Sequence, residues 1–260
     1  MINSLLIFFS INLILQLLAL KMGFYRIYNQ DEEDLPPTSV CLLSAFFLFF
    51  CSHLVFSSQI LQNFFNHRKT FALPFLSSLT ILLATLPMLK AYAISSLFQI
   101  KRWGFYLFNA FIVLLLGLAL TVLVTLIFDY FSPIDFQQQK AVTYLITSLD
   151  DKINFTLALF SILFFAPLIE EILFRRLLYS FLKARMSFLK SLFLSSFLFS
   201  FLHLSWEQGF NNIPLFCSIF ILGLYLAFIY EKTKSVLTSI LVHLAFNAIS
   251  VYRIIESVKN

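Results

Sequence analysis

The sequence predicts an all-α fold, a polytopic bundle of about eight transmembrane helices. Three observations predict it. Of the 260 residues, 60% are hydrophobic and only 12% charged, whereas a soluble domain averages about 45–50% apolar and about 25% charged. The apolar residues gather in runs close to the roughly 20 residues with which a helix crosses a bilayer. Glycine is scarce, with 5 in the chain, so the helices are expected to be long and little interrupted.

The first run, 1–20, holds no Lys or Arg, and the basic residues Lys21 and Arg26 come after it. A secretory signal would begin with a basic stretch, so a retained first span with its N-terminus outside is expected. Residues 29–37 form a polar, acidic loop. Apolar runs follow at 39–57, 71–98, 104–128, 153–182, 187–204, 213–230 and 235–255. Pro74, Pro87 and Lys90 interrupt the span at 71–98, which is expected to be kinked. The longest connection between spans is 129–152, and residues 141–149 within it can lie along the membrane interface.

With the N-terminus outside, the cytoplasmic connections hold nine Lys and Arg and the outer connections and tail hold six. That bias agrees with the orientation. Cys41, Cys51 and Cys217 form no CxxC pair and lie in apolar runs, as packing residues do. No internal repeat, low-complexity segment or composition break marks a second domain. The chemistry-bearing residues divide the chain into helices without a motif at 1–150 and a core at 151–260. The expectation is a multi-pass integral protein of a bacterial inner membrane, with the lipid bilayer as its surroundings and no nucleic-acid partner. HExxH, GxSxG and phosphate-loop signatures are absent from the sequence.

One stretch conflicts with its apolar setting: Ala166-Pro-Leu-Ile-Glu-Glu-Ile-Leu-Phe-Arg-Arg-Leu-Leu-Tyr179. An ionisable group at a helix centre in the bilayer costs about 2.5–3.5 kcal/mol on insertion scales. Snorkelling to headgroups suits Arg176 but not Glu170, which has apolar neighbours on either side of the Glu pair. Glu171 and Arg175 are four residues apart, with Glu first, the better order for an ion pair on one helix face. Glu170 lies about 100° around the helix from that pair. A carboxylate in such surroundings can exchange a proton near neutral pH, as a general base must.

Two later spans carry polar residues at helical spacing. Phe199 and His203 are four apart, as are His243 and Asn247, so each pair shares a face. A short basic turn joins the runs ending near 184 and starting near 188, so those helices are expected to be antiparallel. The midpoint of 170 and 203 falls in that turn, which puts Glu170 and His203 at the same depth. His243 and Asn247 can donate hydrogen bonds to a common point. A plain inter-helix hydrogen bond, worth about 0.6 kcal/mol, accounts for them equally well.

Glu170-Glu171-x-x-x-Arg175, Phe199-x-x-x-His203 and His243-x-x-x-Asn247, in this order on three spans, resemble the type II CAAX prenyl endopeptidases and their bacterial relatives, the CPBP group. The resemblance covers about residues 150–250. It implies an intramembrane endopeptidase that hydrolyses a peptide bond of a membrane-anchored, in some relatives prenylated, protein or peptide. By motif position Glu170 activates the attacking water and His203 helps hold it. His243 and Asn247 stabilise the oxyanion, while Glu171, Arg175 and Phe199 support the site. Two schemes use the same side chains. In one Glu170 activates water directly with no cofactor, the scheme favoured here. In the other Glu170, His203 and His243 hold zinc with a water in the fourth position. The competing functions are a non-catalytic immunity or scaffold membrane protein of the same fold, and a proton-coupled transporter, for which the sequence offers no repeat.

Overall fold

The computed structural model describes residues 2–27, 38–57, 79–81, 103–131, 140–204, 209 and 212–259. Among the described residues the elements are all helical: α1 (Ile2–Lys21), α2 (Ser39–Ser57), α3 (Trp103–Phe131), α4 (Lys140–Thr147), α5 (Lys152–Lys183), α6 (Phe188–Phe201), α7 (Asn212–Thr233) and α8 (Val236–Lys259). Four stretches are long and apolar enough to cross a membrane: Trp103–Phe128, Lys152–Lys183, Asn212–Thr233 and Val236–Val258. Phe9–Lys21, Ser39–Ser52 and Phe188–Phe201 are shorter apolar helices. The chain is an all-helical, multi-pass membrane protein. The acidic loop at 29–37 and, apart from 79–81, the run at 71–98 lie outside the described residues.

The helices fall into two compact units. The first comprises Met1–Glu33, Gln99–Gln137 and Met186–Val242. In it α7 packs against both α3 and α6, and α1 packs against α3. The α6–α7 approach is close because Gly223 meets a serine: a Cβ at 223 would sit 3.1 Å from Ser196 Cβ and 3.3 Å from Phe199 Cδ1. Small residues let membrane helices approach where no hydrophobic force between them is available. Helix α6 follows this inside-out rule along its length. Ser191, Ser195, Ser196 and Ser200 are buried, each hydroxyl bonded to a carbonyl three or four residues back. Leu189, Phe193, Phe197 and Phe201 are exposed, as side chains that face lipid are.

Gly23 ends α1. Its φ of +69° allows the left-handed turn in which Phe24 N–H donates to Ala19 O at 2.9 Å and Gly23 N–H to Leu20 O at 3.0 Å. The turn is fastened to α7. Lys232 donates to the carbonyls of Phe24 and Arg26, and its ammonium lies 4.7 Å from the centre of the Phe24 ring. Deeper in the same unit, Gln16 Oε1 accepts hydrogen bonds from Tyr25 and, at 2.9 Å, from Tyr225.

The second unit comprises Asp34–Phe98, Gln138–Arg185 and His243–Asn260. Helix α5 is its axis. Asp151 caps it, Oδ1 accepting from the N–H groups of Ile153 and Asn154 at 3.0 and 3.2 Å. The short helix α4, where an interfacial segment was expected, sends Leu145 into a core with Ala158 and Val251. Phe46 of α2 meets Phe174 of α5 edge to face, with centroids 5.5 Å apart. Within α5 the backbone leaves α-helical register twice, at Ser161–Phe165 and Ile172–Tyr179, where it takes up π-helical turns. The six residues Ala166–Glu171 between them are α-helical and end on the two adjacent carboxylates. π-Turns are rare and cluster where a helix serves a function.

Candidate active site

Glu170, Glu171 and Arg175 of α5 and His243 of α8 form one continuous set of contacts inside the second unit. Glu171 is fully buried and bridges two partners. Its Oε2 is 3.1 Å from Nε of Arg175, and its Oε1 is 2.9 Å from Nδ1 of His243. Arg175 is as deeply buried, at 1% side-chain exposure. Burying a guanidinium and a carboxylate in a bilayer is tolerable only when they neutralise one another, and the i,i+4 spacing lets them do so. The contact with His243 was not visible in spacing, since 72 residues separate it from Glu171.

That contact fixes the imidazole. An ionised carboxylate only accepts, so Nδ1 of His243 carries a proton. The other nitrogen, Nε2, faces Glu170, whose Oε2 is 3.8 Å away. Glu170 has 18% side-chain exposure against none for Glu171, so of the two adjacent glutamates it is Glu170 that a solvent molecule or a substrate can reach. In the order Arg175–Glu171–His243–Glu170 the first three groups are in direct contact, and Glu170 stands 3.8 Å from the imidazole they orient. A carboxylate that orients the far side of a working imidazole is the device of hydrolytic triads and of metal-bound histidines alike.

Asn247, one turn beyond His243 on α8, donates from Nδ2 to the main-chain oxygen of Ile162 at 3.0 Å. Ile162 lies in the first π-helical segment of α5. Neither Ile162 nor the neighbouring Pro167 stood out in the sequence, although the proline is visible there, three residues before Glu170.

His203 and Phe199 belong to the first unit. Phe199 is fully buried. His203 lies just beyond the last turn of α6, and its Nδ1 lies 2.7 Å from the carbonyl oxygen of Phe199, with the two ring centres 4.7 Å apart. A carbonyl only accepts, so here too Nδ1 holds the proton and Nε2 is presented. On each histidine the Nδ1 proton is thus fixed by an acceptor, a carboxylate for His243 and a main-chain oxygen for His203.

Among the described residues no group of three or more His, Cys, Asp or Glu side chains is arranged to hold a metal ion. Glu170 and His243 supply two donors from one unit, and both oxygens of Glu171 are engaged by Arg175 and His243.

Comparison with known proteins gives one result of substance. Residues 152–249 match the sequence model of the type II CAAX prenyl endopeptidase Rce1-like family. Neither a curated protein nor a solved structure matches the chain. The matched segment begins with α5 and ends two residues after Asn247, so it includes each polar residue described above. At residues 152–249 this chain carries a type II CAAX prenyl endopeptidase Rce1-like domain, the domain of a family of CAAX-type membrane proteases.

Proposed function

We propose that the protein is a glutamate-dependent intramembrane endopeptidase, with Glu170 as general base. The observation that carries this reading is the 2.9 Å contact of Glu171 with His243, which turns Nε2 of the imidazole toward Glu170. Charge counting supports it. Two carboxylates and one guanidinium leave one negative charge, and a proton on His243 makes the buried set neutral. In that state Glu170 is ionised and His243 is a donor at both nitrogens.

Hydrolysis begins when Glu170 takes a proton from water, and the resulting hydroxide adds to the scissile carbonyl carbon. The oxyanion that forms accepts hydrogen bonds from Nε2–H of His243 and from the amide of Asn247. As the intermediate collapses, the C–N bond breaks and Glu170 returns its proton to the leaving amine. By its position in the family's motifs His203 holds the water, and Phe199 supports it. Residues 151–260 form the catalytic core, and 1–150 supply the remaining helices of an eight-span bundle. The substrate is a membrane-anchored protein or peptide, prenylated or unmodified, and the compartment is a bacterial inner membrane. No metal enters this scheme.

The test compares purified wild type and Glu170→Gln in liposomes, against prenylated and unmodified membrane-anchored peptides, with and without a zinc chelator. Cleavage by wild type that survives the chelator and is lost in Glu170→Gln is the expected outcome. Cleavage abolished by chelator and restored by zinc overturns the metal-free scheme. Equal cleavage by both proteins removes Glu170 from the chemistry.

A further inference from the structure

The π-helical turn ahead of the glutamates has an identifiable cause and, with it, a role. In the first π-helical segment Ala166 donates its N–H to Ser161 O, five residues back. In the same register the next carbonyl, that of Ile162, would be met by residue 167. That residue is proline, which has no N–H. The α-helical alternative is closed as well, because the donor four residues on is Ala166, already committed to Ser161. The main chain of α5 therefore offers the Ile162 oxygen neither its four-residue nor its five-residue donor. In a membrane such an oxygen must be satisfied from a neighbouring helix. Asn247 Nδ2 does this at 3.0 Å.

We infer that Pro167 is a positioning residue for Asn247: by stripping Ile162 of its main-chain donor, it creates the acceptor that locks the Asn247 amide in one orientation. A carbonyl oxygen only accepts, so the atom facing Ile162 is the nitrogen, and the side-chain flip of Asn247 is fixed by chemistry. One of its two N–H bonds is spent on Ile162. The other is held in a set direction one turn from His243. A preorganised donor stabilises developing charge without reorganising at the moment of reaction. The catalytic half of this inference rests on the oxyanion role given to Asn247 above; the structural half does not.

Asn247 is read directly by labelling asparagine with 15N in detergent-solubilised full-length protein, with Asn247→Ala identifying its signal. In wild type one of the two side-chain amide protons is expected to exchange with water about five- to tenfold more slowly than its twin, as a hydrogen-bonded proton does. Pro167→Ala supplies the missing main-chain N–H and, by removing a helix breaker, leaves folding intact. It is expected to abolish the difference between the two protons. An unchanged difference in Pro167→Ala, or none in wild type, overturns the inference. On a peptide cleaved by wild type, Pro167→Ala lowers kcat about 10- to 100-fold with KM unchanged, the cost of a misplaced group. It adds no further loss in the Asn247→Ala background. Full activity of Asn247→Ala would remove Asn247 from the oxyanion site while leaving the exchange result standing, so the two readings fail separately.

Discussion

Replacing Glu171 by glutamine changes one oxygen to an NH2 group and removes one charge from a fully buried position. Arg175 has only donors, so it claims the one oxygen that the new amide retains. The NH2 group is then left against Nδ1 of His243, 2.9 Å away in the native site. A donor there forces Nδ1 to accept, so His243 loses its Nδ1 proton and with it the cationic form, donor at both nitrogens, that the buried carboxylate supports. The closest analogy is the loss of the orienting carboxylate in a hydrolytic triad, which costs about 10⁴ in kcat with geometry intact. Stability falls too, because a fully buried guanidinium loses its counter-charge, a change worth about 3–5 kcal/mol. The two effects are separable. Glu171→Gln combined with Arg175→Met removes both charges and is expected to recover most of the stability and none of the activity. The assays are thermal unfolding in detergent, peptide cleavage, and 15N shifts of His243 that report which of its nitrogens carry protons. Glu171→Gln with kcat within about threefold of wild type, or with Nδ1 of His243 still protonated, refutes the argument.

Other perturbations test the frame around the site. Gly223→Leu places a side chain where a single Cβ already comes within 3.1 Å of Ser196. It should cost about 1–3 kcal/mol as overpacking, seen as a lower melting temperature in detergent, and should disturb Phe199 and with it the His203 ring. Gly23→Ala keeps the packing but forces alanine into a left-handed turn at φ +69°, a cost of about 1–2 kcal/mol. Its lower melting temperature should come without change in KM, because Gly23 touches none of the polar residues of the motifs.

How much of this was legible in the sequence depended on the range of the signal. Helix α5 was expected at 153–182 and runs from Lys152 to Lys183, because a bilayer makes apolar length an almost sufficient criterion. The Glu171–Arg175 pair was legible too, being set by the local geometry of one helix. His243 as the second partner of Glu171 was not, since a contact over 72 residues depends on how α8 rotates about its own axis. The π-helical turns were missed for a different cause. Pro167 announces a broken hydrogen bond, but the sequence does not say whether the helix kinks, stops or widens. Here it widens, and Asn247 supplies the donor that lets it do so.

The polar contacts of Gln16 have a consequence for how the chain is made. Its late partner, Tyr225, is 209 residues downstream, which at ordinary synthesis speeds means about 10–40 s later. During that interval the Gln16 amide is without Tyr225. Tyr25, only nine residues on, emerges almost at once and can hold the same oxygen until α7 arrives. The first helix thus carries its own temporary partner. A chain stopped before residue 225 would leave that oxygen with Tyr25 alone.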